Sequence, residues 1–274
     1  MATDPLRIIV FGAHPDDCDF KVGGIARLYV KKGHRVKFVS VTSGNSGHFA
    51  IGGAPLATRR RAEMAAAARL AGVEFEIFDI NDGALEPTLA NRLMVIRAIR
   101  EFAPDIVITH RPNDYHPDHR YTSVLVQDAS YMVTVPNVLP LTPHLAANPV
   151  VAYMSDDFKK PSAFTADVVV DIEPVLADRM KMLACHESQM FEWLPYNWGL
   201  TDVPSDAAAR LKWVTSQFAP DNVAIARRFR ATLRKLYGPA RGARVKYAEA
   251  LEFCEYGAPV TKKNFHTLFP FFKK

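Results

Sequence analysis

The sequence has little cysteine, and its cysteines follow no regular spacing. Cys18, Cys185 and Cys254 are the three cysteines among 274 residues. A secreted domain held together by disulfides carries a patterned cysteine framework, so that class is excluded. The N-terminus also lacks the layout of a signal peptide, because it carries the acidic Asp4 and only a short apolar run that Gly12 breaks. We therefore expect reduced thiols and a cytoplasmic protein.

Long apolar stretches and long basic runs are missing as well. No stretch approaches the roughly 20 apolar residues of a membrane-spanning helix, so no span is predicted. The net charge of +5 comes from basic residues spread along the chain, with short clusters at residues 59–61 and 227–230. Because no long basic run is interleaved with aromatic residues, we predict no nucleic-acid partner and interpret the surplus charge as solvated surface.

The sequence does contain a regular alternation of strand and helix patterns. Apolar runs predict strands at about residues 6–12, 35–42, 74–80 and 105–110, separated by helices at about residues 22–32, 58–70 and 88–102. Thr58 is the predicted N-cap of the second helix. This pattern predicts an α/β fold with a Rossmann-like, doubly wound and mainly parallel sheet of order 3-2-1-4-5 and helices on both faces.

The second half of the chain is predicted to belong to the same unit. It contains further predicted strands at residues 150–154 and 168–172 and helices at residues 173–190, 207–218 and 222–237. Residues 245–256 fit either a strand or a helix. We predict a single domain over residues 1–274, with a core at about 6–190 and a C-terminal extension at about 191–274. The aromatic tail at residues 265–272 suggests a subunit contact and hence a homo-oligomer.

A strand that ends in an imidazole and two carboxylates stands near the N-terminus. Residues 8–12 are apolar throughout, which is typical of a buried parallel strand, and Pro15 then fixes a turn. His14 and Asp17 lie three residues apart on this turn, close enough to reach one metal ion, and Asp16 between them is left uncoordinated. Imidazole and carboxylate suit zinc and also iron. A solvated Pro-Asp turn is the competing interpretation of this stretch alone.

A second His-Pro-Asp turn makes the metal interpretation the stronger one. The apolar run at residues 106–108 is followed by His116, Pro117, Asp118 and His119. In the predicted sheet, the first and fourth strands are neighbours where the winding reverses, and ligands bind outside the carboxyl ends of the strands at that point. Together the two turns offer two histidines and a carboxylate for a three-ligand site, with further carboxylates to spare.

These two turns and a third segment resemble the motifs of the LmbE-like, or PIG-L-type, metal-dependent deacetylase family. The segments read Ala-His-Pro-Asp-Asp at residues 13–17, His-Pro-Asp-His at residues 116–119 and His-Glu-Ser-Gln at residues 186–189. An arginine-bearing helix at residues 60–72 and an Asp-Gly turn at residues 82–83 resemble further family features. The resemblance implies a Rossmann-like fold and the removal of acetyl groups from N-acetylglucosamine-type amides with zinc or ferrous iron.

The resemblance also implies roles for individual residues. The implied metal ligands are His14, Asp17 and His119. The implied base is Asp16, and the implied oxyanion stabiliser is His116. Independent chemistry agrees, because a catalytic metal with three protein ligands keeps a position for water, and a free carboxylate beside that water accepts its proton. We further expect Asp118 to hold His116 protonated and to orient its ring.

Three more residues are candidates for substrate contacts, each with a structural alternative. Arg60 either binds a sugar hydroxyl or a phosphate, or belongs to a solvated helix face. His186 and Gln189 fall on the predicted helix 173–190, where they either line the site or pack within the protein. The glycines of residues 43–55 predict a mobile loop that covers the substrate at the edge of the site.

One residue departs from the family pattern, and two other functions stay open. Cys18 stands where the family usually has an acid, and we expect a small buried side chain there. The predicted function is a metal-dependent amide hydrolase with Zn²⁺ as cofactor, or Fe²⁺ or another divalent metal. Its predicted partner is a small N-acylated amino sugar or glycoside. A ferrous oxygenase with a His/Asp/His triad and a non-catalytic metal-containing binding protein are the alternatives.

Overall fold

One mixed sheet organises the protein, whose computed structural model describes residues 4–272. In chain order its strands are β1 (Arg7–Gly12), β2 (Arg35–Ser40), β3 (Glu74–Ile77), β4 (Ile106–Thr109), β5 (Val150–Met154), β6 (Val168–Asp171) and β7 (Ala248–Cys254). Their order in the sheet is β3-β2-β1-β4-β5-β7-β6. The pairings among β1 to β5 are parallel, whereas β7 is antiparallel to both of its neighbours. The predicted doubly wound, mainly parallel sheet is confirmed.

Helices cover both faces of this sheet. They are α1 (Asp17–Lys31), α2 (Gly53–Ala71), α3 (Leu89–Phe102), α4 (Pro117–Met132), α5 (Leu176–Ala184), α6 (Leu194–Trp198), α7 (Ala207–Arg228), α8 (Arg230–Tyr237), α9 (Pro239–Arg244) and α10 (Phe265–Leu268). Ile8 and Val10 of β1 pack into the layer formed by α1, α2 and α5, while Ile9 and Phe11 pack into that of α3 and α4. Because both faces of β1 are buried, its consecutive residues are apolar, and not only every second one. Among the residues described, no helix is long and apolar enough to cross a bilayer.

The C-terminal extension contributes a strand to the interior of the sheet. Within residues 245–256, which fitted either a strand or a helix, residues 248–254 form β7 between β5 and β6. Cys254 pairs with Val151 on one side, and Leu251 pairs with Val168 on the other. The first four residues of β7 are all buried. The strand therefore lacks the regular alternation of buried apolar and exposed polar residues by which a half-exposed strand is predicted.

Two helices begin earlier than predicted. Helix α2 starts at Gly53, so Thr58 lies inside it and is not its N-cap. Pro55 is tolerated because the first helical turn needs no partner for its backbone N–H groups. Helix α1 starts at Asp17, but Val22 has a non-helical φ of −139° at the predicted start. Beyond this kink, Glu249 of β7 accepts hydrogen bonds from two backbone N–H groups of α1 at 3.0 and 2.8 Å.

Two other helix predictions were wrong in extent. Residues 173–190 do not form one helix, because α5 ends at Ala184 and a π-helical segment follows at Ser188–Trp193. In contrast, α7 continues through Pro220, where the sequence predicted a break. Phe218 and Ala219 are buried just before the proline, and this packing compensates for the missing backbone hydrogen bond.

The aromatic tail packs against its own chain. Phe269 and Phe272 are buried, and the ring of Phe272 lies 4.9 Å from that of Tyr237. The hydroxyl of Tyr29 donates a hydrogen bond to the carbonyl of Leu268 at 2.7 Å. The apolar character of this tail is therefore explained within one chain, which removes the reason for predicting a subunit contact from it.

Candidate active site

The polar turns after β1 and β4 meet at one edge of the sheet. His14 follows the carboxyl end of β1, and His110 follows that of its neighbour β4. The loop after β4 leads to His116, whose ring accepts a hydrogen bond at the start of α4. The winding of the sheet reverses between these two strands, which is where doubly wound folds form a ligand crevice.

The three predicted metal ligands lie together in this crevice. Asp17 Oδ2 lies 3.4 Å from His14 Nδ1, and Asp17 Oδ1 lies 3.6 Å from His119 Nε2. One ligand atom from each of these residues falls within 4.8 Å of the others. Both imidazoles are largely buried, His14 at 9% and His119 at 8% exposure. The atoms are close enough to bind one ion with modest adjustment.

The remaining nitrogen of each imidazole contacts a different carboxylate. His14 Nε2 lies 3.0 Å from Asp82 Oδ1 and 3.3 Å from Asp118 Oδ2. His119 Nδ1 lies 3.1 Å from Asp114 Oδ1. Histidines that bind metals usually donate their other N–H to a carboxylate or carbonyl, which fixes the ring and increases the basicity of the ligating nitrogen.

Negative charge is in excess at this site. Burial alone would lower the pKa of His14, but hydrogen bonds with Asp118, Asp17 and Asp82 outweigh it and raise that pKa well above 6.5. Burial alone would raise the pKa of Asp82, but the hydrogen bond with His14 and its charge lower it to about 2. Closely spaced buried carboxylates favour a bound cation. Imidazole and carboxylate donors of this kind fit a divalent metal.

Two further groups of side chains satisfy the same distance condition. One contains His14, Asp82, His116 and Asp118, and the other contains His110, Asp114 and His119. Each shares a histidine with the predicted triad, so the three groups are overlapping parts of one cluster.

Asp16 is held beside this cluster by a buried arginine. Arg60 Nη2 donates to Asp16 Oδ1 at 2.6 Å, and Arg60 Nη1 donates to the carbonyl of Gly44 at 3.4 Å. Gly44 has a φ of +66°, and a Cβ there would lie 2.5 Å from Arg60 Nη1. With an exposure of 2%, Arg60 does not belong to a solvated helix face.

His116 and Asp118 are arranged differently from the expectation. The backbone N–H of Asp118 donates to His116 Nδ1 at 3.2 Å, while the Asp118 carboxylate accepts from the Gly83 N–H at 2.7 Å and faces His14. Burial and the charges of His14 and His119 lower the pKa of His116. The structure therefore favours a neutral His116 with its proton on Nε2, and it does not support a protonated ring held by Asp118.

The third predicted segment lies behind the site. His186 is fully buried, and its Nε2 lies 2.8 Å from Asp19 Oδ2. This burial does not favour a direct substrate contact for His186. Gln189 Nε2 donates to the carbonyl of Gly47 at 3.0 Å and so supports the glycine-rich loop.

Cys18 points away from the cluster. It is 1% exposed, and its Sγ lies 3.6 Å from the carbonyl oxygen of Val10. Burial and nearby carboxylates raise the pKa of this thiol. A buried, protonated thiol agrees with the small packing side chain expected there.

Three residues of the cluster had no predicted role. Asp82 was recognised only as part of an Asp-Gly turn, and His110 and Asp114 were not singled out. The backbone N–H of Ala13 donates to His110 Nε2 at 3.1 Å, and burial and the charge of His119 lower the pKa of His110 to about 4. His110 comes directly after β4, just as His14 comes shortly after the end of β1. This position at the end of a strand is the sequence signal that could have identified His110.

Comparisons with known proteins identify the family of this chain. Residues 9–130 match the sequence profile of the PIG-L family, described as GlcNAc-PI de-N-acetylase. A diacetylchitobiose deacetylase of Thermococcus kodakarensis is 30% identical over 210 residues, which cover 70% of this chain and 75% of the relative. The chain belongs to the PIG-L family. It is accordingly a member of a family of deacetylases, which are hydrolases of carbon–nitrogen bonds other than peptide bonds.

The PIG-L fold extends along nearly the whole chain. The crystal structure of the N,N'-diacetylchitobiose deacetylase of Pyrococcus horikoshii matches with a TM-score of 0.71 at 21% identity, covering 92% of this chain and 85% of that one. A 4-oxalmesaconate hydratase of Pseudomonas putida is 25% identical over 204 residues, which cover 72% of this chain and 79% of the relative. Sequences similar to this one therefore include a protein named for a different reaction.

Proposed function

We propose that this protein is a metal-dependent N-deacetylase that removes an acetyl group from an N-acetylglucosamine-type sugar or glycoside. The observation that carries the proposal is the arrangement of its two imidazoles. His14 and His119 each turn one nitrogen toward Asp17 and the other toward a separate carboxylate. Membership of the PIG-L family and the similarity to a diacetylchitobiose deacetylase support the reaction and the substrate class.

His14, Asp17 and His119 would hold the metal, with Zn²⁺ as the first candidate and Fe²⁺ or another divalent ion as alternatives. Of the three overlapping groups, this one leaves the other carboxylates free to orient the histidines. When bound, the ion would lower the pKa of a coordinated water and polarise the amide carbonyl.

The reaction would be completed by side chains around this triad. Asp16 accepts the proton of the attacking water and transfers it to the departing amine. Arg60 holds one oxygen of Asp16, so the carboxylate keeps one orientation. His116 donates its Nε2 proton to the developing oxyanion. Asp118 orients His14 and, through its backbone N–H, His116.

The substrate would be a small N-acylated amino sugar or glycoside, and the reaction would take place in the cytoplasm. The support for this location is that Cys18, Cys185 and Cys254 are all free. Arg60 and Gln189 would act on the substrate indirectly, because each binds the backbone of the loop beside the site. His186 would hold Asp19 in place from within the protein.

Hydration of an unsaturated acid is a second candidate, favoured by the similarity to the 4-oxalmesaconate hydratase. Such a reaction also adds water, but it breaks no carbon–nitrogen bond and releases no acetate. An oxygenase reaction would instead require molecular oxygen.

Acetate release decides among these reactions. We would incubate the purified chain with N,N'-diacetylchitobiose or N-acetylglucosamine, with and without Zn²⁺ and with and without oxygen. We expect acetate and free amine in equal amounts, dependence on the metal and independence of oxygen. If an unsaturated dicarboxylate is consumed while neither acetylated sugar releases acetate, the hydratase is favoured and the deacetylase proposal fails.

Metal content tests the ligand assignment separately. We expect one divalent ion per chain in the wild type and a clear loss in His119→Ala, because this change removes one of three ligands. Lys32→Met, an exposed position remote from the site, is the control. Full occupancy in His119→Ala would overturn the assignment.

A further inference from the structure

The positive charge of the chain is concentrated in one segment, residues 227–246, which we call the basic segment. It contains six arginines, two lysines and no acidic residue. Because the whole chain has a net charge of +5, the remaining residues together carry −3. Basic residues also occur elsewhere, but there the acidic residues slightly outnumber them. A charge asymmetry of this size points to an anionic partner.

The basic segment is held against the sheet by its apolar side chains. It comprises the end of α7, all of α8 and α9, and the residues that lead into β7. Leu233 and Val245 are buried in one cluster with Val169 of β6. Arg230 Nη1 donates to the carbonyls of Gly242 and Val245 at 2.8 and 2.6 Å, which ties α8 to the end of α9. The exposed cations of the segment therefore project from a fixed surface.

Half of the cations in the basic segment are exposed and unpaired. Within the described range 4–272, four of them form no ion pair and no side-chain hydrogen bond, namely Arg227, Arg234, Lys235 and Arg244. Lys246 is exposed as well, and one nearby carboxylate, that of Glu173, attracts it. An external anion can therefore bind the four unpaired side chains without first breaking a contact within the protein.

Both ends of the basic segment reach the edge of the sheet at which the candidate active site opens. Strand β7 is antiparallel to β5 and to β6, so the carboxyl ends of β4, β5 and β6 lie at one edge. Arg228 Nη1 lies 3.1 Å from Asp157 Oδ1 in the loop after β5. Arg241 Nη2 lies 3.6 Å from Asp171 Oδ2 at the end of β6. Three strand spacings of about 4.8 Å separate β6 from β4, so the segment lies beside the crevice.

The surface between these cations favours a flat anionic partner over a nucleic acid. Its other exposed residues are small, namely Ala231, Pro239, Ala240 and Ala243. The rings of Phe229 and Tyr237 are only partly exposed, and they are covered by Arg228 and Arg241 at 4.8 and 4.4 Å. Single-stranded nucleic acids bind to exposed aromatic rings on which their bases stack, and residues 227–246 offer no such ring. Small side chains instead allow neighbouring cations to approach a plane of negative charge.

We propose that the basic segment binds the surface of an anionic lipid bilayer and holds the crevice of the candidate active site beside it. A lysine or arginine close to such a surface increases the affinity by a factor of about five. The unpaired cations contact the lipid phosphates from the aqueous side. No large apolar side chain of residues 227–246 is exposed for insertion, so the binding is peripheral and electrostatic.

Co-sedimentation of the full chain with lipid vesicles tests this proposal. The probes are vesicles of equal parts phosphatidylcholine and phosphatidylglycerol, compared with vesicles of phosphatidylcholine alone. We expect saturable binding to the mixed vesicles only, and weaker binding as the salt concentration rises. A triple variant with Arg234→Gln, Lys235→Gln and Arg244→Gln should bind the mixed vesicles about a hundredfold more weakly, because it lacks three of the unpaired cations.

A second triple variant, with Lys32→Gln, Arg69→Gln and Arg97→Gln, is the matched control. It removes the same charge from exposed positions on other helices and should bind nearly as tightly as the wild type. Thermal melting checks that both variants are folded.

Three results would overturn the proposal. The first is that the wild type does not bind the mixed vesicles. The second is an equal loss of binding in both triple variants, which would show that only the net charge matters. The third is release of the protein from the vesicles by duplex DNA at the same phosphate concentration, which would favour a nucleic-acid partner. Each is measured without an acetylated sugar, so none depends on the proposed deacetylase activity.

Discussion

At the scale of single residues, the adjacent Asp16 and Asp17 have separate partners. Asp17 faces the imidazoles of His14, His110 and His119, whereas Asp16 is bound by Arg60. Two neighbouring carboxylates on one turn thus point toward different groups. Their chemistry should differ in the same way, with one binding a metal and the other transferring a proton.

Replacing each aspartate should therefore give different losses. Asp17→Ala should lose the metal, and activity should fall as a consequence. Asp16→Asn should keep the metal but lose about 10²–10⁴-fold in turnover, the usual contribution of a positioned general base. Metal content and acetate release measured on the same samples distinguish the two. If Asp16→Asn loses the metal and Asp17→Ala retains it, the roles are reversed.

The buried pair of His186 and Asp19 should matter for stability. Removing one member leaves a buried charge without compensation, so His186→Ala should lower the free energy of unfolding by about 3–5 kcal/mol. The double variant His186→Ala with Asp19→Ala should lose less than the sum of the two single variants. Chemical denaturation measures all three, and strictly additive losses would argue against the pair.

The same pair predicts a pH dependence. Burial alone would lower the pKa of His186, but the hydrogen bond and charge of Asp19 raise it above 6.5 in the folded protein. Folding then favours the protonated ring, so the stabilisation is fully present below pH 6.5 and is lost as the pH rises through the raised pKa. The difference in unfolding free energy between wild type and His186→Gln should therefore shrink as the pH rises above 6.5. A constant difference between pH 5 and about pH 9 would contradict this expectation.

At the scale of elements, the loop between β2 and α2 is attached to the π-helical segment and α6. The ring of Phe49 stacks on that of Tyr196 at 4.4 Å, and His48 Nε2 lies 2.9 Å from Glu192 Oε2. Arg59 of α2 forms an ion pair with the same glutamate. Mobility of this loop stays a prediction, and these contacts are what an opening movement would have to break.

Weakening these contacts should loosen the loop. An aromatic pair contributes about 0.5–1.5 kcal/mol beyond its buried area, so Tyr196→Ala should speed amide hydrogen exchange in residues 45–52 by up to about tenfold. Exchange in β1 and β4 should stay unchanged. The matched control is Tyr131→Ala, since Tyr131 is similarly exposed but lies on α4. If the loop exchanges at the same rate in Tyr196→Ala and Tyr131→Ala, the stacking of Phe49 on Tyr196 does not restrain the loop.

The sequence was sufficient to predict elements whose pattern is local. Strands β1, β4 and β5 appear as apolar runs because both of their faces are buried. His14 and His119 were noticed because each belongs to a segment with a His-Pro-Asp turn. The kink at Val22 could not be predicted, because it depends on Glu249 more than 200 residues away. The break after Ala184 likewise depends on distant partners, since His186 is turned inward by Asp19. Contacts between remote segments leave no periodic signal in either segment.

At the scale of the whole molecule, the C-terminal extension and the core share one sheet. Strand β7 pairs with β5 and β6, and Glu249 at its second position contacts both α1 and Arg179 of α5. We propose on this ground that residues 1–274 form a single domain. The prediction can be tested by removing the extension.

A chain that ends at Met190 should not fold cooperatively. Without β7, strand β6 loses its sheet partner and the buried Arg179 loses the carboxylate of Glu249. Thermal melting followed by circular dichroism should show no sharp transition for this truncated chain. The full-length variant Glu249→Gln, which keeps β7, should still melt cooperatively at a lower temperature. A sharp transition in the truncated chain would mean that the core is a domain by itself.

The position of β7 also bears on how the protein is made. A ribosome releases the chain from its N-terminus, so β1 to β5 emerge with their parallel partners well before residues 248–254 are synthesised. During that interval the outer edge of β5 has no neighbour, and an unpaired strand edge is where nascent chains associate with one another. Slow translation between β6 and β7 should therefore prolong the most aggregation-prone stage of synthesis, even though the strands that position the cluster of histidines and aspartates have already been made.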